Sequence, residues 1–197
     1  MSQVIAALNS DHANVAKLLD LLESEILAIE VGKTPDYPLL RNIMQYITQY
    51  PDRYHHPKED LIFAQLVRRE PEIRVDVEAL LKEHVSLRVA GLEFECSLRT
   101  TNIDSVNVRE GLAAAGFAYI RALREHMLIE EGILFPIAME VLTKEDWKLI
   151  EEQVDTFEDP LFGSVIADEY QRLYSVIIDR TERRSITNPR SRRNSAT

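Results

Sequence analysis

A single cysteine, Cys96, is all the thiol in 197 residues. No internal disulfide can form, which fits a reducing cytoplasm, and Cys96 reads as a packed small hydrophobe rather than a reactive thiol. No stretch approaches the roughly 20 apolar residues needed to cross a bilayer. Residues 1–7 lack the basic start and apolar run of a signal peptide. The expectation is a cytoplasmic chain with no membrane segment. Strand patterning is missing throughout. So are a Gly-rich phosphate loop, a His-Glu-x-x-His zinc motif and a Gly-x-Ser-x-Gly elbow, and with them the enzyme classes those motifs serve. Bases are scarce: 23 against 33 acids, for a net charge of −10, and six of those bases lie from Arg180 onward. The body that remains is strongly acidic, which argues against nucleic acid as a partner.

What is present is helical periodicity. Hydrophobic residues make up 45% of the chain, and its length suits one domain with a sizeable core. Ser2 is placed to cap a first helix that runs to about Val31, with Gly32 as its stop. Lys33 to Pro38 reads as a loop. A second helical region carries Leu39, Ile43, Tyr46, Ile47 and Tyr50 on one face, is interrupted at Pro51, and resumes through Glu59 to Val67. Pro57 predicts a kink beside His55. Pro71 opens a third helix ending near Arg99, and Thr100 to Asp104 forms a loop. Ser105 caps a fourth helix, with Arg109 to Leu142 as its body and a bend at Pro136. Thr143-Lys144-Glu145-Asp146 resembles a capping box for a short helix through about Thr156, packed down by Trp147. A last amphipathic helix spans Ser164 to Asp179. The fold class is therefore all-α: an up-down antiparallel four-helix bundle over residues 1–142, one or two short extra C-terminal helices over 143–180 packed on it, and a flexible basic tail over 181–197.

Four histidines fall on four separable helical segments. The first stripe reads Ile5, Leu8, His12, Val15, Leu19, Leu22, Ile26, Ile29, with a histidine where a core residue belongs. The third reads Val77, Leu80, Leu81, His84, Leu87, Gly91, Phe94, Leu98. The fourth reads Leu112, Ala115, Tyr119, Ala122, His126, Ile129, Glu130, Ile133, Ile137. On the second region His55 is followed four residues later by Glu59, as His126 is by Glu130. That spacing puts both side chains of a pair on one helix face, one turn apart. A carboxylate on an apolar stripe is costly unless paired or bound to metal. Imidazoles with carboxylates are donors for iron, manganese or zinc rather than calcium. Four imidazoles and two carboxylates exceed the needs of one tetrahedral zinc and suit two metals sharing carboxylate bridges.

These segments resemble the hemerythrin-like family, the HHE cation-binding domain. The resemblance is carried by Asp11-His12, by Tyr54-His55-His56-Pro57-Lys58-Glu59-Asp60, by Glu83-His84 and by Glu125-His126-x-x-x-Glu130-Glu131, over roughly residues 2–142. It implies a non-haem di-iron centre, two iron ions with an oxo or hydroxo bridge. It further implies that His12, His55, His84 and His126 are terminal ligands and that Glu59 and Glu130 bridge. The oxygen carriers of the family have a further histidine one turn from the third-helix ligand, where this chain has Leu80 and Arg88. Their fourth-helix acid is an aspartate one residue later than Glu130. Reversible oxygen carriage is therefore not expected.

His56 with Asp60 is a competing pair in the neighbouring register. His55 with Glu59 is preferred because it repeats His126 with Glu130 and follows the family spacing, which leaves His56 outside the inner ligand ring or at the surface. Tyr119 shares the stripe of His126, and Tyr46, Tyr50 and Tyr54 form a ladder; all read first as packing residues. The function this implies is a metal-binding module, not an enzyme, that binds or senses dioxygen, nitric oxide or iron. The alternative is a redox or repair activity of the iron–sulfur cluster repair type, disfavoured because those relatives carry N-terminal cysteines. A homodimer is compatible with either.

Overall fold

The computed structural model describes residues 2–100, 106–154 and 157–187. It is helical, with no strand among the described residues. The chain divides into two compact units, residues 1–157 and 158–197.

Within the first unit, α1 spans Gln3–Glu30. The Ser2 side chain accepts from the Val4 amide at 3.2 Å and closes its N-terminus. Gly32 ends it at φ 73°, a left-handed conformation that glycine adopts without a Cβ clash. Every member of the expected stripe from Ile5 to Ile29 is buried. Next comes α2, Tyr37–Tyr50, which starts inside the expected loop because Asp36 caps the Leu39 amide and Pro38 fits a first turn.

Pro51 does not break the chain's helical course. Residues Pro51–His55 form a π-turn, in which the His56 amide donates to the Pro51 carbonyl, and α3 follows over His56–Arg69. Pro57 cannot donate to the carbonyl four residues back and would clash with it in a regular helix, and the wider turn accommodates this. The same device recurs later. A short 3₁₀ turn at Pro71–Ile73 leads into α4, Arg74–Thr100. The helix α5 spans Val106–Ile129, a second π-turn covers Glu130–Leu134, and α6 covers Phe135–Val141. Here the Phe135 amide donates to the Glu130 carbonyl. In both places a proline sits two residues past the π-turn.

Part of the expected fourth stripe is corrected, and the second π-turn accounts for the change beyond Glu130. Ala115, Ala122, Ile129 and Ile133 are exposed, and the buried residues include Leu112, Ala113, Gly116, Tyr119, Ile120, His126, Met127, Glu130, Leu134, Phe135 and Ala138. One extra residue in the turn moves the inward positions after Glu130 from Ile133 and Ile137 to Leu134 and Ala138. Cys96 is exposed, against expectation. The expected loop at 100–104 and the Ser105 cap lie outside the described residues.

Pairwise, α1 packs along α5, α2 along α4, and α4 along α5. One apolar cluster joins Leu8 of α1, Ile62 and Leu66 of α3, Leu80 of α4 and Ala138 of α6. Each leucine or isoleucine among them contributes about 2 kcal/mol on burial. Phe63 stacks on Phe135 at 6.3 Å between ring centroids, and Phe135 stacks on His12 at 5.8 Å. This cluster closes one side of the histidine site.

The helix α7, Lys144–Glu151, is shorter than expected and belongs to the first unit. Its capping box is formed by Thr143 and Asp146, and Asp146 also takes the Arg69 guanidinium at 2.8 Å through both oxygens. Thr143→Ala should destabilise the protein by about 1 kcal/mol, the usual effect of removing a cap hydroxyl. A lower denaturant midpoint at unchanged slope would show it; an unchanged midpoint would contradict it. In the second unit a 3₁₀ turn at Asp168–Tyr170 precedes α8, Gln171–Thr187. That helix starts later than expected and continues into the stretch read as tail; residues 188–197 lie outside the described set.

Candidate metal centre

His12 comes from the middle of α1, His84 from α4 and His126 from the last turn of α5. His55 ends the first π-turn, Glu59 lies in the first turn of α3, and Glu130 opens the second π-turn. All six side chains are buried, Glu59 and Glu130 at 0% exposure.

The imidazoles point their Nε2 atoms at the two carboxylates. Around Glu59, Oε1 lies 3.0 Å from His55 Nε2 and 3.8 Å from His12 Nε2, while Oε2 lies 3.5 Å from His84 Nε2. Around Glu130, Oε1 lies 3.2 Å from His126 Nε2 and 3.3 Å from His84 Nε2, while Oε2 lies 3.4 Å from His12 Nε2. Two half-sites result: His12 with His55 and Glu59, and His84 with His126 and Glu130. Each trio has its ligand atoms within 4.8 Å of one another. Each carboxylate turns one oxygen to either half.

Three outer carboxylates hold the rings from behind. Asp11 lies 3.1 Å from His55 Nδ1, Glu83 lies 3.1 Å from His126 Nδ1, and Glu131 lies 2.9 Å from His12 Nδ1. A carboxylate can only accept, so Nδ1 carries a proton in each ring and Nε2 is the nitrogen left to offer a lone pair inward once it is unprotonated. Sequence reasoning quoted these acids as part of the motif without giving them a task. The only local sign was an acid beside His12, beside His84 and beside Glu130. Neighbours on a helix point about 100° apart, so each such acid reaches a histidine on another helix.

This arrangement is strained without cations. His12 Nε2 and His55 Nε2 face each other at 3.0 Å. Both Glu59 oxygens, Glu130 Oε2 and His126 Nε2 are fully buried without a properly aligned hydrogen bond, a penalty that folded proteins avoid unless something else satisfies the atoms. Protons respond accordingly. Burial pushes the His55 imidazole down, but Glu59 and Asp11 outweigh it and raise it to about 10. Burial, with His55 beside it, lowers His12 to about 4. Burial raises the Glu59 carboxyl, and the neighbouring Glu130 pushes it the same way. Burial acts on Glu130 too, yet His126 and His84 hold it below the carboxylate range.

His56 behaves differently from His55. Its Nδ1 lies 3.2 Å from Asp52, and its ring stacks on His84 at 4.0 Å between centroids. Burial, with His84 beside it, lowers it to about 2. Half-buried, it lies close enough to form a third potential trio with Glu59 and His84. Asp60 is exposed while Glu59 is buried. The tyrosine ladder is present, with centroids 5.0 Å apart for Tyr46 and Tyr50 and 5.5 Å for Tyr50 and Tyr54.

Helices presenting buried histidines and glutamates in trios, with buried donor atoms left unsatisfied, define a protein built to hold metal cations. The chain belongs to the hemerythrin HHE cation-binding domain family, whose model matches residues 3–138. That span includes all six residues of the two half-sites. No curated protein and no solved structure matches the chain. No helix among the described residues is long and apolar enough to cross a membrane.

Proposed function

We propose that this chain is a non-haem di-iron protein that binds or senses dioxygen, nitric oxide or iron rather than acting as an enzyme. His12 and His55 would be terminal ligands of one ion and His84 and His126 of the other, with Glu59 and Glu130 bridging, inside an up-down four-helix bundle. The single observation that carries this reading is the splay of the two carboxylates, each with one oxygen toward each half-site. A mononuclear site would gather them on one side.

The donor set fits the group. Two six-coordinate ions have about twelve positions, of which four imidazoles and two bidentate bridges fill about eight. The remaining positions are open to water or an outside ligand, and ligand binding with electron transfer is the chemistry such a pair supplies. The protein's own part is to hold Nε2 lone pairs inward through Asp11, Glu83 and Glu131, and to exclude bulk water with Phe135 and the apolar cluster behind it. Loading releases the proton that His55 holds, so uptake is favoured as pH rises.

Metal analysis and the optical spectrum of aerobically purified protein test this. Two irons per chain and the near-ultraviolet charge-transfer bands of a bridged ferric pair are expected. One zinc per chain without such bands would overturn it. Dioxygen or nitric oxide added to the reduced protein then separates ligand binding from the cluster-repair reading. Stoichiometric, reversible spectral change supports binding, and restoration of a damaged iron–sulfur protein supports repair.

A further inference from the structure

The helix α4 has two working faces. Its inward face is committed to the bundle through Val77, Leu80, His84 and Phe94, all buried. The outward face of a bundle helix is ordinarily polar. Here Val85, Val89 and Leu92 stand on it, 64%, 50% and 46% exposed. Spacings of four and three put them in one ridge along the helix. The same line runs on in both directions, to Lys82 and Glu78 before the ridge and to Cys96 and Arg99 after it, all exposed. From Glu78 to Arg99 the fours and threes alternate without a break. That is the seam of a two-helix coiled coil, turned outward.

The order of charges along this seam identifies what covers it. The middle is apolar, while one end carries Glu78 and Lys82 and the other carries Arg99, with exposed Glu93 on its flank. An antiparallel second α4, related by a two-fold axis near Arg88, sets Glu78 against Arg99 of the second copy and Lys82 against its Glu93. Symmetry repeats both pairs. A parallel copy would set each of these charges opposite itself. Arg88 lies beside the axis, but its guanidinium is drawn to Asp52 of its own chain at 2.9 Å. The four charges sum to zero on a chain of net charge −10. Two acidic bodies therefore meet on this face with little of their general repulsion.

We propose that the chain forms a two-fold symmetric homodimer through the outer face of α4, the two helices antiparallel, with Val85, Val89 and Leu92 of both copies packed around the axis. Such an interface uses one patch twice and closes at two copies. Burial of the ridge drives association, while the exposed ion pairs add little affinity and fix direction and register. The inference goes beyond the metal-binding reading and does not depend on it. His84 lies on the opposite face of the same helix, so variants on the ridge leave both half-sites in place.

The test is the mass of the full chain in solution, by sedimentation equilibrium at micromolar concentrations. Twice 22.7 kDa is expected. Val89→Asp should weaken the dimer more than about tenfold by placing a charge in the apolar centre, with helicity and metal content unchanged. Lys82→Glu should weaken it about tenfold, because two attractions become two repulsions, and adding Glu93→Lys should restore it. Cysteine cross-linking reads the direction. At a rise of 1.5 Å per residue, the two Val89 residues lie about 3 Å apart along the axis and the two Cys96 residues about 24 Å apart. A disulfide needs Cα atoms within about 7 Å. Val89→Cys in a Cys96→Ser background should therefore cross-link on mild oxidation, and the parent should not. A monomeric parent overturns the proposal and leaves the face to a different partner. A dimer that survives Val89→Asp has its interface elsewhere and overturns it too. Cross-linking of the parent through Cys96, or no rescue by Glu93→Lys, overturns the antiparallel arrangement and the proposal with it.

Discussion

His126→Ala should purify with at least one fewer metal ion per chain than the parent. His126 Nε2 sits 3.2 Å from Glu130 Oε1, its Nδ1 proton is held by Glu83 at 3.1 Å, and Nε2 is buried without an aligned partner of its own. Truncation removes one of the two imidazoles of that half-site and leaves Glu83 and Glu130 without the group that both face. Alanine offers no donor, and a water in the vacated space lacks the orienting bond. Affinity losses of 10–100-fold follow even from removing partners one layer out, so losing the ligand itself should empty the position at ordinary protein concentrations. His55→Ala should act in the same way on the other half-site. His56→Ala is the comparison: its ring is stacked on His84 with Nδ1 on Asp52, so most of the metal should remain. Metal content measured on the three purified variants decides this. If His56→Ala empties the site and His55→Ala does not, the inward register is wrong by one residue.

Removing the metal should lower the melting temperature by roughly 10 °C. Without ions, Glu59 and Glu130 face each other at 0% exposure, with donor nitrogens and acceptor oxygens packed more closely than their protons can satisfy. Breaking a buried ionic arrangement by removing one side costs about 3–5 kcal/mol. For a unit of this size each kcal/mol is worth about 2–4 °C. Protonation of Glu59 and His55 relieves part of the repulsion, which is why the lower end of that energy range is the appropriate one. Calorimetry with and without chelator, with metal loss confirmed by analysis, is the measurement. A Glu59→Gln, Glu130→Gln double variant should show little chelator effect, because it lacks both proposed bridging ligands as well as the facing charges. Equal melting temperatures for the loaded and stripped parent would contradict the account.

Much of the helical organisation was legible in the chain because its causes are local. The α1 stripe from Ile5 to Ile29 is buried as its periodicity requires, and Ser2, Gly32 and the Thr143–Asp146 box cap through bonds spanning only a few residues. The prolines announced a disturbance at each ligand pair, but not its form. A π-turn is one way of accommodating Pro57 or Pro136, and only packing against the other helices selects it. Once it forms, the inward register changes, which is why Ile133 and Ile137 were expected inside and Leu134 and Ala138 are found there.

Residue spacing put His12, His84 and the His126–Glu130 pair on inward faces, while His55 with Glu59 was preferred to His56 with Asp60 on the repeat of that pair and on the family pattern. Spacing could not say which acid stands behind which imidazole. Asp11 serves His55, Glu83 serves His126 and Glu131 serves His12, all across helix boundaries, where the rotation of one helix against another decides who meets. The setting of Tyr119 is a tertiary product in the same sense. Tyr119 and His126 share a helix and a stripe, and the sequence reads the tyrosine as core. Only the approach of α4, with Gly91 against the ring, places it on the wall of a cavity beside the histidines.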